Sequence, residues 1–186
     1  MNRTQTGRVG ELALALYSMV STDGKLELFT PISDEDHVDI TAGRRGAIPA
    51  IAIQVKASPR LDKYGMVEGN ATYSQGHVRE HPAFLYAVLL MQSVAIATAW
   101  IVPSPDFNRL AYRPRAEGKV ILEFRAYPDR DDKWAPFRVP AMELGPHLLS
   151  VIDSIDQRIP PTFLAEQGGL VLAAPLKKES VTQSRA

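Results

Sequence analysis

The sequence predicts a single α/β domain, on three observations. Residues 9–20 carry a helical apolar stripe, several later runs have the length and composition of strands, and 186 residues at 45% apolar content suffice for one hydrophobic core. The domain is expected to span residues 1–172, with 173–186 as a polar C-terminal tail.

The elements follow in order. Val9, Leu12, Ala13, Leu16, Met19 and Val20 recur at helical spacing, Thr4 or Thr6 can cap the start, and Ser21-Thr22-Asp23-Gly24 ends the run. KLELFT (25–30) is a short strand stopped by Pro31, HVDITA (37–42) a second, and a third begins near Ala50 after the loop GRRGAIP. Residues 59–82 are polar, hold Gly65, Gly69, Gly76 and two prolines, and predict a long loop or a broken helix. The stretch AFLYAVLLMQSVAIATAWIV (83–102) approaches membrane-spanning length. Gln92 and Ser93 divide it into two halves rich in β-branched and aromatic residues, which favours a buried hairpin over a membrane helix. SPDFNRLAYRPR reads as a connection and KVILEFRAY (119–127) as a strand. Residues 140–156 read as helix, with Gly145-Pro146 placing its regular start near 146. Trp100 and Trp134 are expected to pack in the core or at an edge.

Composition narrows the chemistry. Lys and Arg number 21, as do Asp and Glu, so no global field draws the chain to nucleic acid or an anionic membrane, and any such contact needs a local basic patch. With no cysteine, disulfides, thiolate nucleophiles and cysteine-ligated zinc are excluded. A reducing, cytoplasmic setting fits. The N-terminal apolar run contains Glu11 and lacks a small-residue cleavage site, so it is not expected to be a signal peptide. His37, His77, His81 and His147 show no zinc-ligand spacing.

Residues 51–58, IAIQVKAS, raise a sharper question, because a strand suited to burial carries Gln54 and Lys56. Pairing strands 37–42 and 51–57 antiparallel with Ala42 opposite Ile51 sets Ile40 against Ile53 and Val38 against Val55 on one apolar face. Asp39, Gln54 and Lys56 then share the other face. Hard oxygen donors from Asp39 and Gln54 suit a divalent cation such as Mg²⁺, and Lys56 could orient an attacking water or counter charge on a phosphate. Glu11 could complete the site from the first helix. Any of these residues alone is more simply a solvated side chain; the joint pattern carries the reading.

GRVGELALALYSMV, DEDHVDI and IQVKAS together resemble the PD-(D/E)xK nuclease superfamily, especially its endonuclease and Holliday-junction-resolvase-like branches, over about residues 5–58. The resemblance implies a restriction-endonuclease-like αβββαβ core with a mixed sheet flanked by helices. It implies Glu11, Asp39 and Gln54 as metal ligands for Mg²⁺ or Mn²⁺, Lys56 as the catalytic lysine, and hydrolysis of DNA phosphodiesters. Pro31 lies well before Asp39, and Gln54 stands where an acid is commoner.

Arg44 and Arg45 at the hairpin tip, and Arg60, Lys63, Tyr64 and Arg79 beyond the third strand, are the candidate DNA contacts. Tyr73, His77 and His81 add to that basic and aromatic stretch. A mobile polar loop explains the stretch equally well. Asp34, Glu35 and Asp36 read as an acidic turn, with Asp36 a further metal-facing candidate. An open sheet edge would allow a homodimer. The alternative expectation is a non-catalytic nucleic-acid-binding or protein-interaction module on the same fold.

Overall fold

The computed structural model describes residues 2–31, 37–48 and 50–155. The acidic turn at 34–36 and the proposed boundary at 172 lie outside the described residues.

Helix α1 (Arg3–Val20) starts earlier than its apolar stripe requires. Asn2, not Thr4 or Thr6, is the cap: its side chain accepts the Gln5 N–H while the Gln5 side chain accepts the Asn2 N–H. Of the stripe expected in the core, Ala13 is buried and Val9 packs against the core, whereas Leu12, Leu16 and Val20 turn outward, 59%, 57% and 62% exposed. Thr6, Gly10, Leu14 and Ser18 complete the buried face beside Ala13. Its small residues let the helix axis approach the flat sheet, which the bulkier stripe would not. A Cβ built on Gly10 would lie 2.5 Å from the Ala57 Cβ. Gly10→Ala is therefore expected to lower the melting temperature despite alanine's helix preference of about 1 kcal/mol. Adding Ala57→Gly should recover most of that loss; a double variant no more stable than the single would rule out this contact as the cause.

The main sheet runs β1 (Leu26–Phe29), β2 (Ile40–Arg44), β3 (Ile51–Ser58), β5 (Phe84–Gln92), β6 (Ala95–Pro103) and β8 (Arg138–Val139). β3 and β5 are parallel and every other pair antiparallel, so the sheet is mixed. The hairpin expected within 83–102 is β5–β6, and no helix among the described residues is long and apolar enough to cross a membrane. β4 (Val67–Ser74) and β7 (Lys119–Ala126) form a separate antiparallel ribbon. Helix α2 (Ser104–Leu110) follows β6, where only a connection was expected. Helix α3 (Leu144–Ser154) closes the described chain.

Two cores result, one on each face of the sheet. α1 and α3 cover Ile40, Ile53, Val55, Leu85, Ala87 and Leu89, whereas the ribbon, Phe107 of α2 and Trp134 cover Ala52, Phe84, Tyr86, Val88 and Trp100. Strands buried on both faces lose the polar alternation, which explains the continuous apolar runs of β3 and β5. The crossover from β3 to β5 is a strand, β4, where a loop or broken helix was expected. Val67, Gly69, Ala71 and Tyr73 face inward and Glu68, Asn70, Thr72 and Ser74 outward. That period of two was masked by Gly69 and Asn70, both poor strand formers.

Candidate active site

The β2–β3 register is the expected one, Ile40 with Ile53 and Ala42 with Ile51. The ladder then ends at Ile40–Ile53, two residues short of the expected pairing of Val38 with Val55. The Asp39 N–H still donates to the Ile53 carbonyl, but the Val55 N–H donates to Asp39 Oδ2 at 2.6 Å. The carboxylate has replaced a backbone carbonyl, and β2 parts from β3 at that point. His37, at φ 55°, turns the chain, so Val38 packs on the ribbon side and not opposite Val55. The charge-assisted bond from Val55 fixes the orientation of the carboxylate.

Gln54 and Lys56 share the β3 face under the ribbon, as the alternation requires. Gln54 is 3% exposed, and its Oε1 accepts the Tyr73 hydroxyl at 3.0 Å. The Tyr73 and Tyr86 hydroxyls meet at 2.6 Å. Burial pushes the Tyr73 hydroxyl up to about 12 and the Tyr86 hydroxyl well above its ordinary value. The Arg79 guanidinium opposes both shifts, and burial wins. Asp39 is close enough to Tyr73 to raise it further. Lys56 is half-buried; a Cβ on Gly69 of β4 would touch its Cβ at 3.4 Å, so glycine makes room for the lysine stem.

Glu11 comes from the other face of the sheet. It is ion-paired with Arg8 at 2.5 Å and stands one helical turn after Gly7, which lines the cleft described below. Of the four predicted residues, Gln54 and Lys56 thus share one face of β3, Asp39 is held at the fork by the Val55 N–H, and Glu11 stands on α1. Among the described residues, no group of three His, Cys, Asp or Glu side chains could hold a metal. The donors at the β2–β3 fork are one carboxylate and one amide oxygen. These are hard ligands that fit an ion retaining several waters, as Mg²⁺ does.

Beside the fork an open cleft of about 840 Å³ runs between the first turns of α1, the end of β3 and the start of β4, with Lys56, Arg60, Glu68 and Asn70 along it. Arg60 therefore lines the same cleft as Lys56. Lys63 lies over the exposed Tyr64 ring, 4.8 Å from its centroid, in the turn that follows. Arg79 lies near the tyrosine pair, and Asn108 Nδ2 donates to its carbonyl. Arg44 and Arg45 sit at the opposite end of β3, and Arg44 makes a bidentate pair with Asp153 of α3. Tyr86 was not anticipated in any role, and Tyr73 was expected on an open groove. The signal for Tyr73 was its place in the inward row of β4; Tyr86, inside FLYAVLL, offered none.

No family model matches the sequence, and no curated protein matches it. Among solved structures the chain is similar to I-Ssp6803I, described as a bacterial homing endonuclease, at 14% identity and a TM-score of 0.55 over 86% of this chain and 100% of that one. The Holliday junction resolvase Hjc of the archaeal hyperthermophile Archaeoglobus fulgidus aligns over 70% of this chain and 96% of its own, at 16% identity and a TM-score of 0.36. At such identity the first likeness is one of fold.

Proposed function

We propose that this chain, whose fold is the restriction-endonuclease-like mixed α/β fold of PD-(D/E)xK-type nucleases, is a metal-dependent endonuclease that hydrolyses DNA phosphodiesters. The observation that supports the reading is the fork between β2 and β3, where the carboxylate held by the Val55 N–H meets the strand that carries an amide oxygen and a lysine on one face, with an open cleft along the lysine. Asp39 and Gln54 would hold Mg²⁺ or Mn²⁺, which when bound neutralises the phosphate and activates water. Asp39 supplies the negative charge at the fork and is held by the Val55 N–H. Lys56 orients the attacking water or counters charge on the phosphate as the bond breaks. Glu11 completes the ligand set if its pairing with Arg8 opens. Arg60, Lys63 and Tyr64 carry the strand past the cleft, and Arg44, Arg45 and Arg79 contact more distant phosphates.

A rival reading, a nucleic-acid-binding module without cleavage, draws on the neutral, buried Gln54. Supercoiled plasmid incubated with Mg²⁺ or Mn²⁺ separates the two. Wild type is expected to nick it only with metal, and Asp39→Ala to bind DNA without nicking. DNA binding by wild type with no metal-dependent cleavage of plasmid, branched or single-stranded substrates would favour the module.

A further inference from the structure

Gln54 is the least exposed residue of the proposed site, and an amide has no charge with which to hold a cation. Its oxygen must be aimed by something else. The Tyr73 hydroxyl owns one proton and donates it to Gln54 Oε1, so across the 2.6 Å contact Tyr86 must be the donor. The hydrogen bonds run one way, from Tyr86 to Tyr73 to Gln54.

We infer that Tyr73 and Tyr86 are positioning residues, a hydroxyl chain that holds the amide oxygen of Gln54 at the fork for a divalent cation beside Asp39. The inference rests on the nuclease reading for what the cation does, but not for whether it binds. A carbonyl oxygen accepts twice, so the bond from Tyr73 leaves capacity for a metal. The chain also accounts for glutamine in place of glutamate. At 3% exposure an ionised carboxylate would be costly whenever the metal is absent, whereas a hydrogen-bonded amide is not. The ring of Tyr73 is braced edge-on by His37 and that of Tyr86 is stacked on Phe107 at 3.9 Å, which locks the hydroxyl positions.

The test is Mn²⁺ alone titrated into the full chain without DNA, with free ion followed by electron paramagnetic resonance, alongside the metal dependence of plasmid nicking. Tyr73→Phe keeps the ring and removes the proton. It is expected to weaken Mn²⁺ binding about tenfold and raise the metal needed for half-maximal nicking equally, leaving the rate at saturating metal nearly unchanged. Tyr86→Phe should do the same by about threefold, and serves if the Tyr73 variant does not fold. In a Gln54→Glu background Tyr73→Phe should have little effect on Mn²⁺ affinity, because charge then holds the ion. Unchanged Mn²⁺ affinity in both phenylalanine variants, or no Mn²⁺ binding by wild type, overturns the inference. Wild type that binds Mn²⁺ through this chain yet cuts nothing supports it and overturns the nuclease reading instead.

Discussion

Lys56→Met is expected to slow metal-dependent plasmid nicking by about 10²–10³-fold, the usual loss when one preorganised donor is removed from a developing charge. Methionine retains most of the stem that runs past Gly69 of β4, so the ribbon keeps its seat and the melting temperature should hold. The ammonium is what is lost. Single-turnover rates at saturating metal measure the chemistry, and fluorescence anisotropy on labelled duplex measures binding; only the first should move strongly. Lys56→Arg is expected to restore little, because the larger guanidinium cannot occupy the same half-buried position. A nicking rate for Lys56→Met within a few-fold of wild type would remove Lys56 from the mechanism and leave Asp39 and Gln54 without a partner that touches the reacting phosphate.

Gly145→Ala is expected to produce the largest loss of stability. A Cβ there would lie 2.2 Å from the Ser18 carbonyl oxygen, 2.5 Å from Thr22 Cγ2 and 2.6 Å from Ser21 Oγ. The first of these is helix backbone and cannot swing aside. Ser21 Oγ also accepts the Gly145 N–H, and Thr22 Oγ1 donates to the Ser18 carbonyl, so separating the helices breaks bonds at the C-terminus of α1. Overpacking of this kind costs about 3 kcal/mol or more, roughly a 10 °C fall in melting temperature for a domain of this size. Gly7→Ala supplies the control. A Cβ at Gly7 meets nothing within 4 Å, so helix propensity alone should raise stability by up to about 1 kcal/mol. Thermal unfolding of the two variants should therefore shift in opposite directions; equal shifts would mean that the α1–α3 contact is looser than described.

The parts of the fold legible in the sequence were those with a strong local period or a complementary pair. Ile40 and Ile53, and Ala42 and Ile51, set the β2–β3 register because a slip of one residue would turn the slipping strand's pair out of the core. The β5–β6 hairpin was legible from its β-branched and aromatic content. What escaped was decided by tertiary contact. α1 has apolar residues on two flanks, and only its closeness to Ala57 shows why Gly10 and Leu14 face inward while Leu12 and Leu16 do not. Gly145 read as a helix-start signal, whereas its role is to let two helices touch. At the site, alternation placed Gln54 and Lys56 on one face. It could not foresee that the Asp39 side chain ends the ladder, that Glu11 pairs with Arg8, or that two tyrosines converge on Gln54.

The strand crossover also governs when the site can form as the chain folds. Among the described residues β4 has no partner in the main sheet and pairs with β7, Val67 with Ala126 and Ser74 with Lys119, after the whole β5–β6 hairpin and α2 have intervened. Such a non-local pairing must meet its loop-closure cost before it gains any contact, which makes it a late step. The hydroxyl of Tyr73 reaches Gln54 only once that ribbon is seated. During synthesis the inward row Val67, Ala71 and Tyr73 therefore waits, uncovered by Leu122 and Phe124, until the chain beyond Lys119 has emerged.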